Sequence, residues 1–304
     1  MNIDKSIKNK KLELLSYFRD RASESLTAIK VKFADNQSDK RAKAINDSLN
    51  QTKSLLITTL LQQAVRDGWT NQEKLECILM ITYCNIVVMI ESRNSVRSYE
   101  YMDFSRRVGE LWDPFCKLCF YYPINDISLF IPPLFSEVKK RLTDEITVYI
   151  EKLTIDIEQK CTLKTYYDKV WTLVTSGEIQ LELDLHFSHQ NQKYVVDFKS
   201  GFGSNEKGNT NRLLLVASVY QNLDENYKCL LFVRAEENNN YFNTLKNSGI
   251  WSAYCGIEAY QKIKEYSGYD LKSWVSENIH WQADFNSETT EHLAENNLLE
   301  YLIW

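Results

Sequence analysis

The chain has 304 residues, 44% hydrophobic and 25% charged, with a net charge of -5, which suits one large domain or two smaller ones around a sizeable core. Its 9 glycines and 4 prolines exclude collagen-like, linker-rich and low-complexity chains. The polar, Lys-rich start lacks the apolar run of a secretion signal, and the mild acidity offers no overall attraction to a polyanion, so a cytoplasmic protein is expected.

Charge is unevenly spread. Residues 1 to 60 hold twelve Lys or Arg against seven Asp or Glu, whereas no Lys or Arg follows Lys272. A basic N-terminal arm of this kind can face a phosphate backbone or form a solvated helix face. The early text is helical: Leu15, Phe18, Ala22 and Leu26 fall at helical spacing, as do Leu56, Leu60 and Ala64. The apolar run from Leu75 to Ile90 contains Glu76 and Asn85 and reads as a buried helix, with no membrane span. All four prolines lie between Pro114 and Pro133, where the helical region of residues 1–133 gives way to a second unit, residues 134–304. The Pro132-Pro133 pair opens a long amphipathic helix, with Val138, Leu142, Ile146, Tyr149, Leu153 and Ile157 on one stripe.

From Gly177 the period changes to two. Glu178, Gln180, Glu182, Asp184 and His186 alternate with apolar residues from Ile179 to Phe187, the pattern of a strand with one polar face. A polar turn from Ser188 to Gln192 and a second strand, Lys193 to Lys199, complete a hairpin. A Gly-rich loop, Gly201 to Asn209, then precedes a helix over Arg212 to Leu223 and a buried strand over Cys229 to Ala235. A further strand at Ile250 to Gly256 and helices over 257–266 and 270–275 make the second half a mixed α/β layer structure. The odd number of cysteines, 7, indicates reduced core thiols, including the single Cys116/Cys119 CxxC pair. His186 and His189 are expected to be solvated rather than metal ligands.

A turn centred between Gln190 and Asn191 places Asp184 opposite Asp197 and Glu182 opposite Lys199. Facing Cβ atoms lie about 4.5–5.5 Å apart, so two carboxylates there repel unless they share a divalent ion such as Mg²⁺.

Asp184 followed by Asp197-Phe198-Lys199 resembles the PD-(D/E)xK nuclease superfamily, and the succession of helix, hairpin, helix and strand over about residues 134 to 256 is similar to its core. Leu183 stands where a proline often precedes the first acid. The resemblance implies a restriction-endonuclease-like mixed sheet flanked by helices, in which Asp184, Asp197 and the carbonyl of Phe198 bind Mg²⁺ and Lys199 orients the attacking water. Glu182 is a secondary member of that set. Glu178 lies roughly 20 Å from Asp184 along an extended strand at about 3.3 Å per residue and joins only if the chain bends; Glu145 or Glu151 could add an acid from the preceding helix. Ser204, Asn205, Lys207, Asn209 and Arg212 are placed either to touch DNA or simply to connect strand and helix.

With no Walker A sequence, the chain looks most like a type II restriction endonuclease: a homodimer cutting double-stranded DNA, whose host site a cognate DNA methyltransferase protects, with the N-terminal helices serving recognition or dimerisation. The alternatives are a structure-specific repair, junction-resolving or phage-defence nuclease, and a catalytically silent DNA-binding protein.

Overall fold

The computed structural model describes residues 3–174, 181–223, 227–302 and 304. Four long helices come first: α1 (Lys11–Lys32), α2 (Ser38–Arg66), α3 (Asn71–Val96) and α4 (Tyr101–Tyr121). Helix α3 starts at a capping box, in which the Thr70 hydroxyl accepts the Glu73 N–H and the Glu73 carboxylate accepts the Thr70 N–H. By length and composition it is apolar enough to cross a membrane, but 94% of its most apolar stretch is buried inside the protein. It is the expected buried helix, and its burial accounts for its apolarity.

The sheet has five strands in the order β1 (Ser128–Leu129), β2 (Leu185–His189), β3 (Gln192–Lys199), β4 (Tyr227–Val233) and β5 (Trp251–Cys255). β1, β2 and β3 pair antiparallel, whereas β3, β4 and β5 run parallel. Helix α7 (Lys207–Leu223) links β3 to β4 and α8 (Asn240–Lys246) links β4 to β5. The C-terminal ends of β3, β4 and β5 therefore share one edge. Helices α9 (Gly256–Ser267), α10 (Leu271–Asn278), α11 (Trp281–Asp284) and α12 (Ser287–Glu295) complete the described chain. The architecture is mixed α/β, with a helical N-terminal region.

The β2–β3 hairpin has the expected register, from Leu185↔Val196 to His189↔Gln192. Its turn is tighter than the five polar residues suggest: only Gln190 (φ 49°) and Asn191 (φ 63°) lie outside the strands, both left-handed. That is the twist a two-residue hairpin loop requires. The strand expected from residue 178 begins only at Leu185; residues 175–180, including Glu178, lie outside the described residues.

Both faces of the sheet are covered, which corrects the expected polar face. Leu185, Phe187, Tyr194, Val196, Phe198, Leu230 and Phe232 join one core cluster with α3, α4, α9 and the C-terminal helices. This cluster joins residues on both sides of position 133. Val195, Cys229, Leu231 and Val233 join a second cluster with Leu213, Val216, Ala217 and Tyr220 of α7. Leu181 and Leu183 belong to the second cluster and Leu185 and Phe187 to the first, so the chain changes faces at a bend on Asp184. The unbroken alternation thus covers a strand and an irregular approach to it.

The helix expected after Pro133 is two helices, α5 (Phe135–Lys152) and α6 (Ile157–Val174). Of its stripe, Val138 is buried, while Tyr149 and Ile157 are exposed. Pro114 lies inside α4, where it gives up one backbone hydrogen bond without ending the helix. Much of the early positive charge is spent internally. Lys11 Nζ lies 2.9 Å from Asp284, and Arg19 pairs with the buried Glu91 at 2.7 Å while also donating to the Asp284 carbonyl.

Gln190 is exposed and holds a conformation disfavoured by its Cβ. Gln190→Asn is expected to stabilise the fold by up to about 1 kcal/mol, since asparagine tolerates this turn position better. An unchanged or lower urea midpoint would contradict this account of the turn.

Candidate active site

Three elements converge where β3 ends. Asp197 alternates with Phe198 along β3 and so points to the α7 side, where it is 2% exposed. Its Oδ2 lies 3.2 Å from Lys199 Nζ and its Oδ1 3.6 Å from Arg212 Nη2 of α7. Despite the nearby lysine, Oδ2 has no aligned hydrogen bond. The carboxyl is pushed from 3.8 up to about 6, chiefly by burial; Asp184 adds to the rise, while Lys199 and Arg212 oppose it.

The ladder stops at Leu185↔Val196, so Asp184 does not continue it as a paired residue. The Asp184 Oδ2 instead accepts the Phe198 backbone N–H at 2.8 Å. Its Oδ1 is 3.4 Å from Lys117 Nζ of α4, and that ammonium also sits 2.8 Å from Asp113 Oδ1 and 3.0 Å from Oδ2. Burial disfavours the Lys117 ammonium, but Asp113 and Asp184 outweigh it and raise its pKa. Burial likewise raises Asp113, against the pull of Lys117. The expected strain between two bare acids is therefore already offset by cations: Lys117 at Asp184, Lys199 and Arg212 at Asp197.

Helix α4 reaches this point by close packing. Trp112 and Phe120 meet the Phe198 ring edge-on at 5.9 and 6.4 Å between centroids. A Cβ on Gly109 would come within 2.8 Å of Ser200 Oγ, so glycine there lets the helix approach the residue after Lys199. Asp113 and Lys117 follow one and two turns later on the same face. Sequence reasoning missed both; the only local sign was an acid four residues before a lysine.

The other expected members scatter. Glu182 is exposed in the segment ahead of β2, beyond the ladder that was to pair it with Lys199. Glu145 pairs with Arg141 and Glu151 with Lys164, and neither contacts Asp184, Asp197 or Lys199 in any ion pair among the described residues. His186 is buried rather than solvated, beside Tyr220, and burial lowers its pKa to about 4; His189 hydrogen-bonds the Asp126 carbonyl. Cys116 and Cys119 are buried thiols as expected. In the connection after β3, Ser204, Asn205, Lys207 and Arg212 are exposed, while Asn209 Nδ2 donates to Glu206 and its Oδ1 receives Arg212. The helix starts at Lys207, earlier than the expected Arg212, so Asn209 lies inside it.

Among the described residues no group of three or more His, Cys, Asp or Glu side chains is placed to hold a metal ion together. Magnesium seldom needs one, since it takes one or two carboxylates and fills its shell with water and substrate phosphate. Asp184, bound to the backbone beside Asp197, and the buried Asp197 Oδ2 that lacks a hydrogen bond fit that demand.

Because the folded Asp197 binds its proton more tightly than the unfolded one, the folded state holds the extra proton between the two pKa values. Stability contributed by this group should therefore decline as pH rises between about 4 and 7. Urea unfolding of metal-free wild type and Asp197→Asn across that range should show wild type losing ground to the variant as pH increases. A pH-independent difference would mean that the Asp197 carboxyl is not raised.

No protein-family model, curated protein or solved structure significantly matches this chain, so it is the geometry of these side chains that bears on its chemistry.

Proposed function

We propose that the protein is a Mg²⁺-dependent DNA endonuclease with a restriction-endonuclease-like core. The finer reading is a type II enzyme that acts as a homodimer on double-stranded DNA, paired with a cognate methyltransferase. The observation that carries the reading is the 2.8 Å bond from the Phe198 N–H to Asp184. It ties the first acid to the Asp197-Phe198-Lys199 triplet across the β2–β3 hairpin. The order α5, α6, β2, β3, α7, β4 supports it, since it follows the expected succession of helix, hairpin, helix and strand, with two helices in place of the first one. The site also lies at the C-terminal edge of parallel strands, where open α/β sheets commonly bind ligands.

Asp184, Asp197 and the Phe198 carbonyl would hold the ion, which when bound supplies a polarised phosphodiester and a water of lowered pKa. Lys199 has its ammonium at this same point and is suited to orient the water and to stabilise charge that builds on the phosphate. Exposed Lys207 and Arg212 offer charge to the DNA backbone, and Ser204, Asn205 and Asn209 offer hydrogen bonds.

Purified protein incubated with mixed-sequence plasmid and Mg²⁺ should yield discrete fragments, and chelation with EDTA should stop cleavage. Random products would disfavour the type II reading, and full activity in EDTA would remove the metal-dependent one. Lys199→Ala should lower cleavage by about a thousandfold or more while DNA affinity stays within about tenfold. Near-normal cleavage by that variant would displace Lys199 from the chemistry. Asp184→Asn should abolish both cleavage and any Mg²⁺-dependent rise in melting temperature.

A further inference from the structure

The nuclease reading leaves the Asp113–Lys117 pair without a role, although it is the closest ionic contact at the site. The Lys117 side chain is 15% exposed, and its ammonium lies 5.9 Å from the centre of the Phe198 ring. Its contacts are unequal: 2.8 and 3.0 Å to the two oxygens of Asp113, but 3.4 Å to Asp184 Oδ1. The helix holds its own lysine closest, hydrogen-bonded through Asp113 Oδ2, and lends Asp184 the longer contact. The other oxygen of Asp184 is fixed by the Phe198 N–H. An entering cation must therefore compete with Lys117 for Oδ1.

The geometry points to Lys117 as a positioning residue, an internal counter-cation that holds Asp184 in the ion-free protein and yields Oδ1 when a divalent ion enters. Asp113 is its parking place. This inference rests on the reading of Asp184 as a metal ligand. It assigns opposite effects to two residues in direct contact. Without Lys117 the competitor is gone and two carboxylates face the entering ion, so affinity rises. Without the Asp113 charge, Lys117 has only Asp184 to neutralise it, so affinity falls. A merely structural pair would weaken binding in both variants.

The test is Mn²⁺ binding to the full-length protein without DNA, followed by electron paramagnetic resonance to millimolar concentration. Wild type, Lys117→Met, Lys117→Gln, Asp113→Asn and Asp184→Asn are compared, with melting temperatures in EDTA and in Mn²⁺. Both Lys117 variants should bind Mn²⁺ about tenfold more tightly than wild type, and Asp113→Asn about tenfold more weakly. Asp184→Asn should lose the site. The Lys117 variants should also melt lower in EDTA and recover with Mn²⁺; the glutamine variant supplies the measurement if the methionine one does not fold. If Lys117 variants bind as wild type or more weakly while Asp184→Asn still loses the ion, the inference fails and the metal reading stands. If no protein binds Mn²⁺ through Asp184, both fail.

Discussion

A carboxylate buried at the end of the central strand is the constraint around which this structure is arranged. Asp197 sits in a sheet covered by helices on both faces, so little water can solvate its charge. Burying an anion in that setting is tolerable only when cations or a proton accompany it. Both devices are present: Lys199 from its own strand and Arg212 from α7 lie within 4 Å, and the pKa moves up to about 6. The cations leave Oδ2 without an aligned hydrogen bond. A fold selected for stability alone gains nothing from that arrangement, because an apolar residue of similar size would cost less.

Helix α4 joins this site to the rest of the molecule. One face presents Trp112 and Phe120 to β3 and places Asp113 and Lys117 beside Asp184. Trp112 also donates its indole N–H to the Tyr260 hydroxyl of α9 at 2.9 Å, so the helix is held from two directions. Farther away, Asp284 joins the two ends of the chain. The Asp284 carboxylate takes Lys11 and the Tyr83 hydroxyl, at 2.9 and 2.6 Å, and the Arg19–Glu91 pair lies alongside. These contacts tie α1 and α11 to α3.

The hairpin register was legible in the sequence because period-two alternation and a two-residue turn together leave one pairing. The buried β4 strand was legible for a similar reason: a continuous apolar run bounded by polar residues. Where the strand begins was not legible. Residues 181 to 184 alternate as well as those after them, and only packing against α7 sends Leu181 and Leu183 to the other face. His186 misled in the same way, since a polar residue in an alternating pattern reads as solvated until its covering helix is known. The break between α5 and α6 carries neither Pro nor Gly. Asp113 and Lys117 were invisible because their meaning depends on a contact with Asp184, across the whole α5–α6 insertion. Local spacing shows only an ordinary helical ion pair.

Charge balance has a further consequence for how such a site would work. Asp113, Asp184 and Asp197 face Lys117, Lys199 and Arg212, three anions against three cations when all are ionised. A neutral cluster exerts little net pull on a divalent ion, and protonation of Asp197 near its raised pKa weakens that pull further. In the proposed nuclease, the missing negative charge arrives with the DNA. A phosphate at the strand ends would draw Lys199 and Arg212 toward itself, relieve their hold on Asp197, and offer another hard oxygen to the ion. Metal and DNA would each improve the binding of the other, because the same cations cannot fully neutralise protein and phosphate at once. On that reading, Lys199 and Arg212, which accompany the buried Asp197 in the ion-free fold, would be the means by which substrate prepares the metal site.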